Sequence, residues 1–169
     1  WRGVDRDGNW TDTGIVKSFP DTGLKVTWRV PVGGGFAGPA VAGGRVFVLD
    51  YEETPGSRTM DGTERLLALD EETGELLWSH EWPAAYRNIS WKFANGPRTP
   101  PTVADGLVYV HGAAGMLSCL DAETGDVVWQ IDTGAEYGMT VPVYGISNAP
   151  LVEGDLLIAV VGGYPDAKI

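Results

Sequence analysis

The chain of 169 residues has little of what defines several large protein classes. Its one cysteine, Cys119, cannot form an internal disulfide, and no Cys–His spacing typical of a zinc site is present. No apolar run approaches the roughly 20 residues that a transmembrane helix needs. The longest stretch without Gly or Pro runs from Ala84 to Asn95, which excludes a helical bundle and a coiled coil.

Basic residues are also scarce. The chain has 12 Lys and Arg against 23 Asp and Glu, a net charge of −11, and the cations are scattered singly. Nucleic-acid binding requires clustered cations, because neutralisation of phosphates supplies most of its affinity. We therefore expect no nucleic acid and no anionic lipid among the partners.

A three-fold repeat is the strongest positive signal. The segments from Pro39 to Val48, from Pro101 to Val110 and from Pro150 to Ala159 each contain Pro, a short strand, a two-residue turn and a second strand. The turn pairs Gly43-Gly44 and Asp105-Gly106 suit tight hairpins, which need positive φ angles.

A second block repeats 51 residues later, as 67–78 and 118–129. Each copy is a strand, an Asp-x-x-Thr-Gly turn and a strand that ends in Trp. In this pattern Asp caps the turn, Gly supplies a positive φ angle, and the Trp indole is expected to pack over the turn of a neighbouring unit. The acids are therefore expected to be structural rather than catalytic. The residues of this structural motif are Asp70, Thr73, Gly74, Trp78, Asp121, Thr124, Gly125 and Trp129.

Four short strands in about 50 residues predict an all-β fold, a β-propeller of four-stranded antiparallel blades. We expect one partial propeller domain over 1–169 with about 2.5 blades, a fragment of a seven- or eight-bladed propeller. Its missing blades would come from the rest of the chain or from another chain. The expected parts are a lead-in with the last strand of a preceding blade (1–35, with Trp28 in the strand from Leu24 to Val30), a blade (36–82) with a surface loop insertion over 51–65, a second blade (83–133) and an incomplete blade (134–169).

The segments Ala68-x-Asp70-x-x-Thr73-Gly74-x-x-x-Trp78 and Cys119-x-Asp121-x-x-Thr124-Gly125-x-x-x-Trp129 resemble the tryptophan-docking motif of pyrroloquinoline quinone (PQQ)-like β-propellers. The opening Trp1-Arg2-Gly3-x-x-Arg6-Asp7-Gly8 is similar to the BamB-like subgroup. The dehydrogenases of this superfamily cap PQQ with adjacent cysteines, whereas Cys119 stands alone. The calcium ligands of the family match no position by motif.

The resemblance implies a non-catalytic scaffold of the bacterial cell envelope, periplasmic or secreted, with a protein partner and neither cofactor nor metal. Two alternatives remain open. One is a quinoprotein dehydrogenase that oxidises an alcohol or sugar with PQQ and calcium. The other is a carbohydrate- or peptide-binding propeller with a small ligand in its channel.

Candidate binding residues precede each innermost strand, because these positions approach the central channel of a propeller. Alignment on the three prolines groups Phe36, Arg98 and Ser147, and in the next position Thr99 and Asn148. Arg98 has a fork geometry suited to a carboxylate or phosphate. We expect these five residues to lie at the channel mouth.

Other patterns are weak. Gly33-x-Gly35-x-x-Gly38 matches a dinucleotide-binding fingerprint, but Pro39 and a strand follow where that motif needs a helix. The aromatic residues Trp82, Tyr86, Trp91 and Phe93 are expected to pack between blades, with a partner-binding patch as the alternative.

Overall fold

The computed structural model describes residues 9, 11, 13, 14, 16–89 and 95–162. The opening motif at 1–8 and the aromatic residues Trp91 and Phe93 therefore lie outside the described residues.

Two four-stranded antiparallel sheets and one hairpin make up the described structure. In each of the three, neighbouring strands follow one another along the chain. The first sheet contains β1 (Ala40–Ala42), β2 (Arg45–Glu53), β3 (Asp61–Asp70) and β4 (Leu76–Ala85). The second contains β5 (Thr102–Ala104), β6 (Leu107–His111), β7 (Met116–Asp121) and β8 (Val127–Asp132). The short helix α1 (Thr133–Tyr137) leads to the hairpin of β9 (Leu151–Glu153) and β10 (Leu156–Ile158).

The two sheets repeat each other down to their irregularities. In the first sheet Ala68 pairs with Trp78 but Leu69 pairs with Leu76, so β4 carries a bulge. In the second sheet the pairing shifts in the same way between Cys119 and Leu120. A bulge raises the local twist of a strand, so both outer strands bend just before their Trp.

The core lies between the facing sides of the two sheets. Alternate residues of each strand point to one face, and eight of these side chains form one buried cluster. They are Phe47, Leu49, Leu66, Ala68 and Trp82 from the first sheet and Val108, Val110 and Leu120 from the second.

The surface loop expected over 51–65 is wrong in its extent. Tyr51 and Glu64 lie in β2 and β3 and are buried, and only residues 54–60 form the connection. The extra residues lengthen the hairpin because Arg65 pairs with Asp50 across the strands and Tyr51 stacks on Tyr86.

Two further segments bear on the expected elements. The segment from Leu24 to Val30 forms no ladder with a described residue, so the strand expected there stays a prediction. The helix α1, between β8 and β9, was not predicted. Asp132 caps α1 by accepting from the amides of Gly134 and Ala135, and Gly138 ends it with a φ of 63°.

Candidate functional site

The connections that precede β1, β5 and β9 all lie at one end of the sheets, which we call the mouth end (residues 31–39, 95–101 and 138–150). The first strands themselves are neighbours, since β1 contacts β5 and β5 contacts β9. Thr102 Oγ1 donates to the carbonyl of Pro150 over 2.7 Å and ties the second and third units together. The candidate residues therefore sit on a shared rim.

Glycines allow the first two connections to pack tightly. Gly34 and Tyr51 exchange two backbone hydrogen bonds of 2.9 Å. A Cβ on Gly33 would lie 2.5 Å from the carbonyl oxygen of Tyr51, and one on Gly96 would overlap the backbone of Gly34. Close backbone approach is a common reason for glycine, so this Gly-rich run packs against protein rather than around a phosphate.

This packing places Phe36 beside Arg98. The backbone amide of Phe36 donates to the carbonyl of Pro97 over 2.8 Å. The guanidinium carbon of Arg98 lies 5.5 Å from the centre of the Phe36 ring, within the range of a cation–π contact. Arg98 Nη1 donates to the carbonyl of Gly96. Arg98 is half-buried, while 52% of Phe36 is exposed.

The charge of Arg98 is not neutralised by an ion pair within the described residues. Arg65 provides the contrast, because it binds Asp50 through two hydrogen bonds of 2.9 and 2.7 Å. The charge of Arg98 does reach Tyr86, whose pKa it lowers against the rise caused by burial and by Glu64.

The five candidate residues do not form one cluster. Thr99 is fully buried and donates through Oγ1 to the carbonyl of His111 over 2.5 Å, so its side chain supports the connection from inside. Ser147 and Asn148 are exposed, and the structure gives neither a hydrogen bond to Phe36 or Arg98. Among these five residues, the structure records a side-chain contact between Phe36 and Arg98.

No motif marks Glu64 in the sequence, yet it is fully buried between the sheets. Its Oε2 accepts from Trp82 Nε1 over 2.8 Å, and its Oε1 accepts from Tyr86 Oη and from the amide of Ala113 in the turn between β6 and β7. Burial raises the pKa of Glu64, and these hydrogen bonds, with one from the Ala114 amide, offset part of the rise. Its bonding capacity is used within the protein, so Glu64 links the sheets.

The repeated turns show why the motif residues are needed. Asp70 Oδ1 accepts from the amides of Glu72 and Thr73 and from Thr73 Oγ1, and these bonds, led by the hydroxyl, lower its pKa. Asp121 Oδ1 accepts from the amides of Glu123 and Thr124 in the second turn, and its pKa is lowered likewise, mainly by the Thr124 amide. Both carboxylates therefore stabilise turns.

The Trp side chains pack over the following turn. Trp78 Nε1 donates to the carbonyl of Ala122 over 3.3 Å, and its ring leaves no room for a Cβ on Gly125. Trp28 makes the equivalent contacts with Glu71 and Gly74. Trp129 is half-buried, with its ring centre 6.3 Å from that of Tyr109.

Within residues 9–162, leaving out the undescribed positions, no three His, Cys, Asp or Glu side chains come close enough together to hold a metal ion. Cys119 is buried in β7. No helix of the described part is long and apolar enough to cross a membrane.

Two stacked four-stranded sheets with the same Trp-bearing turn define a β-propeller of the PQQ-like class. The family model described as outer membrane protein assembly factor BamB matches residues 12–164, and the chain belongs to this family. The predicted family is therefore confirmed.

Two of the relatives have names that state different roles. The chain is 28% identical over 126 residues to the outer membrane protein assembly factor BamB of Shewanella oneidensis, a match that covers 70% of this chain and 28% of that protein. It is 36% identical over 81 residues to the dehydrogenase subunit of the quinone alcohol dehydrogenase of Gluconacetobacter polyoxogenes, which covers 44% of this chain and 11% of that protein. The chain thus spans less than a third of either relative.

A solved structure supports the fold class. The europium-containing methanol dehydrogenase aligns with a TM-score of 0.52 at 20% identity, over 75% of this chain and 20% of that one. The all-β prediction with four-stranded antiparallel blades is confirmed.

Proposed function

We propose that this chain is part of a non-catalytic propeller scaffold that binds partner proteins during outer-membrane protein assembly in the periplasm. The observation that carries the proposal is the Phe36–Arg98 pair, an exposed aromatic ring and a cation held by backbone packing at the mouth end. The family to which the chain belongs is named for this assembly role.

Other exposed apolar side chains support a binding surface at the mouth end. Val32 is 49% exposed on the first connection, and Val143 is 61% exposed on the third. Exposed apolar surface with polar surroundings is typical of protein–protein interaction sites. The proposal places the partner on this rim.

Depletion of the full-length protein in its native bacterium tests the role. We expect folded outer-membrane β-barrel proteins to decrease, as measured by their heat-modifiable mobility, and the wild-type gene to restore them. A gene carrying Phe36→Ser and Val143→Ser should restore them poorly. Leu156→Ser is the matched control, because Leu156 is exposed at the turn on the opposite end of its hairpin. Unchanged β-barrel levels on depletion would count against the proposal.

The second candidate is a PQQ- and calcium-dependent dehydrogenase, which the identity to the quinone alcohol dehydrogenase subunit favours. The described residues do not fit that cofactor set, because calcium needs six to eight oxygen ligands and no three candidate side chains cluster. Titration of the full-length protein with PQQ, with and without calcium, separates the two. Saturable calcium-dependent quenching of Trp fluorescence supports the dehydrogenase, and its absence at micromolar PQQ supports the scaffold.

A further inference from the structure

We infer that Phe36 and Arg98 form a carboxylate-binding site that takes an acidic group of a protein segment. This inference rests on the proposed function, since it names the chemistry by which the mouth end would recognise its partner. The site joins two connections that are distant in sequence, so it exists only in the folded chain.

The guanidinium is held in place before any ligand arrives. Its carbon lies 5.5 Å from the centre of the Phe36 ring, and the carbonyl of Gly96 accepts a hydrogen bond from Nη1. An Arg fixed in this way loses little side-chain freedom on binding. Its remaining N–H groups form the planar donor set that a carboxylate accepts.

Charge complementarity indicates an anionic ligand. The chain has nearly twice as many acidic as basic residues, yet no carboxylate of the described residues pairs with Arg98. The two cross-strand ion pairs of Arg65 show what a satisfied Arg in this protein looks like. The positive charge of Arg98 is therefore available to pair with a carboxylate that does not belong to the described residues.

The surroundings favour a protein segment as the source of that carboxylate. Half of the Phe36 side chain is open to solvent. An apolar side chain next to the carboxylate would cover this surface, as aromatic and Arg anchors do in protein interfaces.

Three peptides of alternating Val and Thr, each labelled with an uncharged boron-dipyrromethene dye, test the site on the full-length protein. One has a central Glu and an amidated C-terminus, one has a central Gln and a free C-terminus, and one has a central Gln and an amidated C-terminus. We expect at least one carboxylate-bearing peptide to bind about tenfold tighter than the neutral one in fluorescence anisotropy. The peptide that does so identifies a side-chain or a C-terminal carboxylate.

Matched variants locate the binding. Arg98→Gln should remove the tenfold preference, and Arg98→Lys should keep part of it, because the charge remains without the fork. Phe36→Leu should weaken binding while preserving apolar contact. Arg29→Gln should leave the preference unchanged, since Arg29 is exposed next to Trp28, which packs at the opposite end of the sheet. Near-UV circular dichroism checks that each variant is folded.

Equal binding of all three peptides, no binding of any, or a preference that survives Arg98→Gln in a folded variant would each overturn the inference. These outcomes are separate from the depletion experiment. If β-barrel levels depend on the protein but the peptide preference is absent, the scaffold role stands and the carboxylate site fails. If the preference is found without any effect on β-barrel levels, the site stands and the scaffold role fails.

Discussion

His111 is a fully buried imidazole whose two ring nitrogens have no hydrogen-bond partner among the described residues. Burial disfavours its charged form and lowers its pKa from 6.5 to about 4. Between these values the unfolded chain binds a proton that the folded protein excludes, so the free energy of unfolding falls as the pH falls. The loss by pH 4 is up to about 3 kcal/mol.

Urea unfolding of the full-length protein at pH 7.5, 5.5 and 4.5 measures this effect. The difference between wild type and His111→Leu isolates it, because both share every other titrating group. His80→Leu is the control, since His80 is only half-buried and should give a smaller dependence. Parallel pH curves for wild type and His111→Leu would contradict the prediction.

Glu64 has the opposite pH dependence. Its raised pKa means that the folded protein keeps a proton above the ordinary value of 4.5, where the unfolded chain has lost it. The contribution of Glu64 is therefore present at low pH and is lost as the pH rises through the folded pKa. Gln at position 64 does not titrate, so E64Q should lack this fall.

E64Q should also lower stability at every pH. The Gln amide places a donor where Trp82, Tyr86 or the Ala113 amide also donates, and at least one buried donor loses its acceptor. Such a loss costs about 1–3 kcal/mol. Denaturant unfolding measures this loss of stability for E64Q. Glu72→Gln is the control, because Glu72 is exposed. A variant as stable as this control would show that the link contributes nothing.

The sequence predicted the roles of residues best where their contacts lie within one turn, and worst for buried polar residues. Asp70 and Gly74 could be assigned because their chemistry is completed within one turn. Glu64 and His111 could not, because their burial depends on which sheet faces which. Alignment of the repeats grouped Phe36 with Arg98, but alignment alone could not show that the Thr99 side chain points inward.

At the scale of elements, the turn between β7 and β8 combines two demands on Gly125. Its φ is 78°, and a Cβ there would lie 2.6 Å from Cδ2 of Trp78. Gly106 has the same φ, with nothing within 4 Å of a Cβ. Gly106→Ala therefore measures the loss of stability when Ala adopts a left-handed backbone conformation, about 1–2 kcal/mol.

Gly125→Ala should cost more than Gly106→Ala, because the Trp78 ring must also move. Thermal unfolding of both variants gives the comparison, and Trp fluorescence should shift only in Gly125→Ala. Equal losses of stability would mean that a methyl group at position 125 does not disturb the packing of the Trp78 ring.

The hairpin of β2 and β3 shows where element prediction failed. Polar residues, one Pro and two Gly within 51–65 are typical of a loop, and this composition hid the strand positions. The pairing of Arg65 with Asp50 and the burial of Glu64 extend the ladder to Gly62. Cross-strand pairs stabilise sheets beyond what residue propensity indicates.

At the scale of the whole molecule, two links hold the second sheet on the first from opposite ends. Glu64 binds the turn after β6 near the mouth end, and Trp78 covers the turn after β7 at the other end. The buried cluster lies between them. Because this packed layer separates the links, each should act on stability independently.

The double variant of E64Q and Gly125→Ala tests this independence in the full-length protein. Distant sites without shared partners usually add within about 0.5 kcal/mol, so the loss of the double variant should equal the sum of the single losses to that precision. Urea unfolding with Trp fluorescence measures all three. A loss well beyond the sum would mean that the two links compensate for each other. Each would then contribute more to the free energy of unfolding when the other is absent. A loss well below the sum would mean that either change alone already separates the sheets.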